Sequence, residues 1–431
     1  MTPAARASAA IEVLADIAAR KRPAADALKD WGLAHRFAGS GDRAAIGNIV
    51  FDALRRRASF AYAMGDESPR ALVLRTLVSS WGLTPDDVAA LADGGRFAPP
   101  PLTPEEIEGL KRETPAEAPV SIRGDFPAWL EPQFERAFGI HAAEEGARLA
   151  ARAPVDLRVN TLKTARDKVL HALRRFDPAA TPHSPLGVRI AAGTGPSRSP
   201  HVESEPGHGK GWYEVQNEGS QVSTLLSGGR PKQQILDLCA GAGGKTLGLA
   251  AVMENTGQLY AYDADRMRLR PIFERLKRAG ARNAQVLDPG DTQELAGLEG
   301  KMDRVVVDAP CTGSGVWRRR PDAKWRLSPQ MLEARLAAQR AVLDQAAPLV
   351  KPGGRLAYIT CSVLPPENRD QVEAFLSRFP QYSIVPWPDL WSAASLSAAP
   401  PQSADGSGKT LLMTPRTFGT DGFFVAVLKR T

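Results

Sequence analysis

The stretch "QQILDLCAGAGGKTLGLAAVM" (residues 233–253) holds three local structures in succession. "QQILDLC" is a short apolar run that stops at polar residues, as a buried strand does at its carboxyl end. "AGAGG" is a turn whose missing side chains permit positive φ and close approach of a ligand to the backbone. "KTLGLAAVM" then starts an apolar helix. The same alternation recurs downstream: "GQLYAYD" before "RMRLRPIFERLKRAG", then "NAQVLD", "DRVVVDAP", a helix over about 329–349, and "GGRLAYITCS". Strands alternating with helices build a parallel sheet covered on both faces, an α/β Rossmann-like fold. Ligands in such sheets bind at the carboxyl ends of the strands. Each strand here ends in Asp or Cys, so their tips are expected to converge.

Working outward, the N-terminal part is predicted to be all helical to about residue 90. Ile11, Leu14, Ile17 and Ala18 share one face; Ile46, Ile49, Val50 and Leu54 share another, running into Arg55, Arg56 and Arg57. That arginine triplet reads as a solvated helix end favoured by the helix dipole, or as an RNA contact. The expected organisation is a helical domain over 1–95, a Pro-rich linker over 96–120, a small α/β segment over 121–210, and the alternating domain over 211–431. From 387 to 409 the chain reads as a long loop.

With 431 residues and 43% apolar content the chain can build several cores. No apolar run approaches the ~18 residues of a membrane helix, and the N-terminus carries Glu12 and Asp16 where a secretory signal would be apolar. The formal charge of +7 favours an anionic partner. Cys239, Cys311 and Cys361 lie far apart, which fits a reducing compartment and offers no zinc-type spacing. A cytoplasmic, metal-free monomer is expected.

"GGKT" invites a phosphate-loop reading, but that motif needs glycine where Cys239 stands. A nucleoside cofactor fits better. Asp263 closes the second strand 22 residues after Gly241, where ribose hydroxyls are met in dinucleotide-type folds. Asp288 closes the third, placed to accept from an adenine amine. Glycine loop, ribose acid and base-edge acid in that order suit S-adenosylmethionine, although any one of the aspartates could instead cap a helix.

The cysteines then acquire a purpose. Carbon 5 of a cytosine is too poor a nucleophile to take a methyl group unaided. A thiolate adding to carbon 6, with an acid near ring nitrogen 3, activates it through covalent catalysis. Asp308 and Cys311 share "DAPC", and Cys361 ends the next strand in "ITCSV". An amino-group methylase would carry an Asn/Asp-Pro-Pro-aromatic turn in place of "DAPC".

At these residues the chain resembles the Sun/Fmu-type (RsmB-like) RNA cytosine-carbon-5 methyltransferase family. "DLCAGAGGKT", "DAPCTGSGVWRRRPDAKWR", "YITCSVLPPEN" and "TPRTFGTDGFFVAVLKR" carry the likeness, with "PAWL", "LRVNTLK" and "VQNEGSQ" before them. The N-terminal helices resemble a NusB-like RNA-binding domain. The resemblance implies that Cys361 attacks, although the residues alone would favour Cys311, and that Cys311 assists breakdown of the adduct beside Asp308. It implies that S-adenosylmethionine meets Cys239, Ala240, Gly241, Ala242, Gly243, Gly244 and Lys245, with Asp263, Arg268, Asp288 and Asp308. "AGAGG" departs from the "AAPGG" of many relatives.

"VWRRRPDAKWR" offers Arg318, Arg319, Arg320, Lys324 and Arg326 to phosphates and Trp317 and Trp325 to stacked bases. Arg158, Asn160 and Lys163 are further RNA candidates. The expected substrate is small-subunit ribosomal RNA; a tRNA and a non-catalytic assembly role are the rivals.

Overall fold

This computed structural model describes all residues except 198, 199, 291, 395, 397 and 398. The chain divides into two units: Met1–Ala153 with Ala192–Ser199 and Trp317–Leu327, and Pro154–Ala191 with Pro200–Val316 and Ser328–Thr431.

Helices dominate the first unit. Pro3–Arg20 begins with the Thr2 hydroxyl accepting from the Ala5 amide and proline at the first helical position. Its buried stripe runs through Ala7, Ala10, Leu14 and Ile17, while Ala18 is exposed. The predicted face is thus rotated towards small residues, which let neighbouring helices approach. Ser40–Arg55 buries Ile46, Ile49, Val50 and Leu54 as expected. Within the stretch read as linker, Thr103 and Glu106 form a capping box for Pro104–Lys111, and Leu110 is buried in the helical core. The helices from Val120–Gly124 to Ala142–Leu149 also belong to this unit, so the predicted boundary near 121 does not separate compact bodies.

In the second unit, β1 (Val155–Val159), β2 (Ala179–Ala180), β3 (Gly187–Ile190) and β4 (Tyr213–Val215) form an antiparallel sheet ordered β2-β3-β1-β4. Its last strand lies beyond the predicted boundary at 210. The larger sheet contains the parallel strands β5 (Gln234–Asp237), β6 (Gln258–Ala261), β7 (Ala284–Val286), β8 (Met302–Asp308) and β9 (Val350–Thr360). It also contains β10 (Tyr382–Val385), β11 (Leu411–Met413) and β12 (Phe423–Arg430). The order is β10-β12-β9-β8-β5-β6-β7, with β11 added to β12. The chain leaves β5 in one direction and returns as β8 on its other side, so the strand order reverses there. That is where a doubly wound sheet opens a crevice for ligands.

β12 runs antiparallel to both β9 and β10. "FFVAVL" is as continuously apolar as a parallel core strand, so its pattern carries no information about direction. The predicted loop over 387–409 starts with a helix, Trp387–Ala393, because Trp387, Leu390 and Trp391 bury one face; residues 395, 397 and 398 of that stretch lie outside the described residues.

Candidate active site at the β5–β8–β9 edge

β8 and β9 pair in register with Asp308 opposite Ile359, so the segments that leave them emerge side by side. Cys311 and Cys361 follow, with their sulfurs 3.4 Å apart. That is a thiol contact and far longer than a disulfide. The hydrogen bond with Cys361, then burial, then the charges of Cys361 and Glu367 push the Cys311 thiol well up. The two thiols share one hydrogen bond, for which either sulfur can be the donor.

Glu367 fixes both segments. Its Oε1 accepts from the Thr312 amide at 2.8 Å and the Gln339 side chain at 3.0 Å. Its Oε2 accepts from the Thr312 hydroxyl and from the Ser362 hydroxyl. Thr312 adjoins Cys311 and Ser362 adjoins Cys361, so one buried carboxylate sets the spacing of the two thiols. Burial, opposed by these hydrogen bonds, raises the Glu367 pKa. Close backbone packing adds to the clamp: a Cβ on Gly315 would meet the Gly422 carbonyl oxygen at 2.2 Å, and the Gly315 amide donates to the Cys361 carbonyl. Sequence reading missed Glu367; its signal was the "PPEN" just after Cys361, whose carboxylate has no helical or strand pattern to explain it.

Lys245, on the helix after the glycine loop, is 4% exposed and places Nζ 2.7 Å from Asp308 Oδ2. The Thr246 hydroxyl donates to Asp237 Oδ2 at 2.7 Å. A phosphate loop would need that lysine for phosphate and that hydroxyl for a metal. Here both are turned to aspartates, and Cys239 stands where that loop's first glycine would be. Burial pushes Asp237 up to about 7, and its Oδ1 is buried without a hydrogen-bond partner.

The glycine loop fits a nucleoside cofactor. Gly241 has φ +50°, and the nearest atoms to a Cβ there would be Arg268 Nη2 at 3.5 Å and Asp263 Oδ2 at 3.8 Å. The backbone is thus bare where guanidinium and carboxylate face it. Asp263 accepts from the Gly241 and Asp265 amides at 2.9 Å each, which binds the second strand's tip to the loop. The capping role belongs to its neighbour Asp265, which accepts from the Met267 and Arg268 amides. Asp288 lies in the open, its Oδ1 engaged by Arg266 at 2.7 Å and the Gly290 amide at 2.9 Å. Cys239 is partly buried near Asp237 and Asp263, and burial with their charges raises its thiol pKa. Ala240, Ala242, Gly243 and Gly244 complete the turn, and Gly243 has no room for a Cβ beside Ile272 at 2.6 Å.

The RNA candidates divide. Arg158 is buried, giving Nε to Gln216 at 2.6 Å. Asn160 is buried and donates to the carbonyls of Gly211 and Ala279 at 2.9 and 2.8 Å, tying β1 to the larger sheet's flank. Neither presents a surface to RNA. In the first unit, Arg318 is buried, and Lys324 is 1% exposed with Nζ on the carbonyls of Arg55 and Asp125. Trp317 lies stacked with Phe134 at 5.9 Å, and Trp325 donates to the Leu54 carbonyl. Of the alternating cations and indoles that suggested an RNA loop, Lys324 and Trp325 instead fasten helices, each donating to helix-end carbonyls. Lys163 and Arg320 are exposed, Arg319 is half-buried, and Arg326 pairs with Asp322 at 3.0 Å. Among the described residues no cluster could hold a metal, and no helix is long and apolar enough to cross a membrane.

The chain matches the family described as "16S rRNA methyltransferase RsmB/F" over residues 224–429, and a "Methyltr_RsmF/B-like, ferredoxin-like domain" over 126–195. It is 33% identical to a probable ribosomal RNA small subunit methyltransferase B of Synechocystis, over 71% of this chain and 67% of that protein. It is 35% identical to the ribosomal RNA small subunit methyltransferase B of Sodalis glossinidius, over 66% of this chain and 65% of that one. The matched stretch thus spans about two thirds of these relatives. The solved structure of PH0851 shares the fold, with a TM-score of 0.73 at 24% identity over 100% of this chain and 99% of that one. On these likenesses the chain belongs to the RsmB/F family of 16S rRNA methyltransferases.

Proposed function

We propose that the protein methylates carbon 5 of a cytosine in small-subunit ribosomal RNA, using S-adenosylmethionine. The observation that carries this reading is the 3.4 Å approach of Cys311 and Cys361 beside the Asp308–Lys245 pair. A purely RNA-binding protein needs none of these four groups in one place.

The Cys361 thiolate adds to carbon 6 of the cytosine, and the electron pair of the 5,6 double bond moves into the ring. Lys245 Nζ lies 2.7 Å from Asp308 Oδ2, and the pair stabilises the charge that develops at ring nitrogen 3 and supplies the proton taken up there. S-adenosylmethionine supplies, when bound, an electrophilic methyl group. The residues over 239–245, with Asp263, Arg268 and Asp288, hold it at the strand tips. Once carbon 5 carries the methyl group, its proton leaves to solvent, ring nitrogen 3 returns its proton to the Asp308–Lys245 pair, the 5,6 double bond re-forms and the bond to sulfur breaks. Cys311 assists that departure, lying against the leaving sulfur. The target base must leave its stack to reach this edge, which favours an unpaired nucleotide.

The helical N-terminal part, read as NusB-like, adds affinity for structured RNA, together with Lys163, Arg319, Arg320 and Arg326. We read the protein as a cytoplasmic monomer. Bisulfite sequencing of total RNA from a strain lacking the protein tests the reading. One methylcytosine should vanish from small-subunit rRNA and return with the wild-type gene but not with Cys361→Ala. Loss from a tRNA alone, or from no RNA, overturns it.

A further inference from the structure

Arg55 and Arg56, of the arginine triplet after Leu54, have no part in methyl transfer, and the first unit places them against two cavities. One, of about 290 Å³, is lined by Arg55, Arg56, Arg152, Ser79 and Ser80, with backbone from 193–195. The other, also about 290 Å³, is lined by Arg56, Arg75, Arg123, Ser59, Ser79 and Asp125. Arg56 and Ser79 are common to both, so the cavities adjoin.

Their charge is unbalanced. Five arginines meet two carboxylates, and both carboxylates are engaged inside the fold. Asp52 accepts from Arg152 Nε at 2.9 Å, from Arg152 Nη2 and from Arg55 Nη1. Asp125 accepts from the Ser59 amide and hydroxyl at 2.9 Å each. Burial and the neighbouring Arg152 push the Arg55 guanidinium down to about 10, and burial also lowers Arg75. Arg55 Nε and Arg75 Nε are each buried without an acceptor. Such cations are destabilised by desolvation and by each other, and an incoming anion relieves both. The walls are fixed in advance: Arg152 donates to the carbonyls of Gly193 and Gly195, and Asn48 donates to Gly195 and Ser197. Arg56 itself is exposed and makes no side-chain hydrogen bond among the described residues.

We propose that the two cavities flanking Arg56 bind successive phosphates of the backbone of the substrate RNA. A single inorganic anion would need one cavity; a shared arginine between two suits a chain of phosphates. The proposal rests on the reading that the substrate is RNA.

The test measures affinity of the full-length protein for a small-subunit rRNA fragment across a salt series, for wild type, Arg56→Ala and Arg123→Ala. Arg56→Ala should weaken binding about tenfold and flatten the slope of log K against log salt by about 1 to 2, as loss of one or two phosphate contacts requires. Arg123→Ala should flatten it by about 1 or less, and kcat at saturating RNA should be unchanged in both. Millimolar inorganic phosphate should compete only weakly with the RNA. Wild-type affinity and slope in Arg56→Ala overturn the proposal, as does equal competition by free phosphate. If the wild-type protein binds RNA with the Arg56-dependent slope yet methylates none, the phosphate sites stand and the functional reading falls.

Discussion

Lys245 and Lys324 are both buried lysines, one at the sheet edge and one among the N-terminal helices. Lys245 meets the carboxylate of Asp308 at 2.7 Å, and Asp308 is 36% exposed, so the pair borders the space a substrate must enter. Lys324 donates to the carbonyls of Arg55 and Asp125 and lies over the Trp325 ring, and burial lowers it to about 7. An ammonium facing a carboxylate can pass a proton on and recover it. An ammonium caged by carbonyls can only hold segments together. The partner of a buried cation, more than its burial, separates chemistry from scaffolding.

The widest separation between the two regions should come from removing each lysine's charge. Lys245→Met should lower kcat by about 10²–10³, the usual worth of a positioned proton donor, with affinity for RNA retained. Single-turnover methylation measures this, and near-wild-type turnover would reduce the pair to scaffolding.

Glu367→Gln sharpens the same edge with a smaller effect. The amide nitrogen would face the Thr312 and Ser362 donors, so the thiols lose their spacing. We expect kcat to fall about 10- to 100-fold with KM for RNA unchanged. A fall in thermal stability with kcat preserved would make Glu367 purely structural.

Lys324→Met should leave kcat alone and change only the pH dependence of stability. The native pKa of Lys324 lies below its unfolded value of 10.5. Its contribution is therefore full above about pH 10.5 and is lost as pH falls towards 7, by up to about 5 kcal/mol. Urea unfolding between pH 6 and 9 should show wild-type stability falling with acidification more steeply than the variant's; parallel curves would refute the cage.

Much of this contrast was legible in the sequence at the sheet edge and little of it among the helices. Strands that end in Asp or Cys announce their tips, because a parallel sheet brings every carboxyl end to one side. Asp263, Asp308, Cys311 and Cys361 were singled out that way, and the structure brings the two sulfurs of the last pair to 3.4 Å. The basic segment misled because Arg318 and Lys324 look the same whether a cation meets phosphate or a helix-end carbonyl. Arg158 and Asn160 misled for the same reason: their partners Gln216, Gly211 and Ala279 are distant in sequence. The antiparallel β12 was hidden because apolar periodicity does not record strand direction.

The central claim is the division of labour between the two thiols, Cys361 attacking and Cys311 releasing. The direct measurement incubates Cys311→Ala with S-adenosylmethionine and small-subunit rRNA and resolves the mixture on a denaturing gel. A retarded protein–RNA band that disappears in Cys311→Ala/Cys361→Ala is the expected result. A retarded band from Cys361→Ala, with none from Cys311→Ala, would reverse the roles and contradict the account.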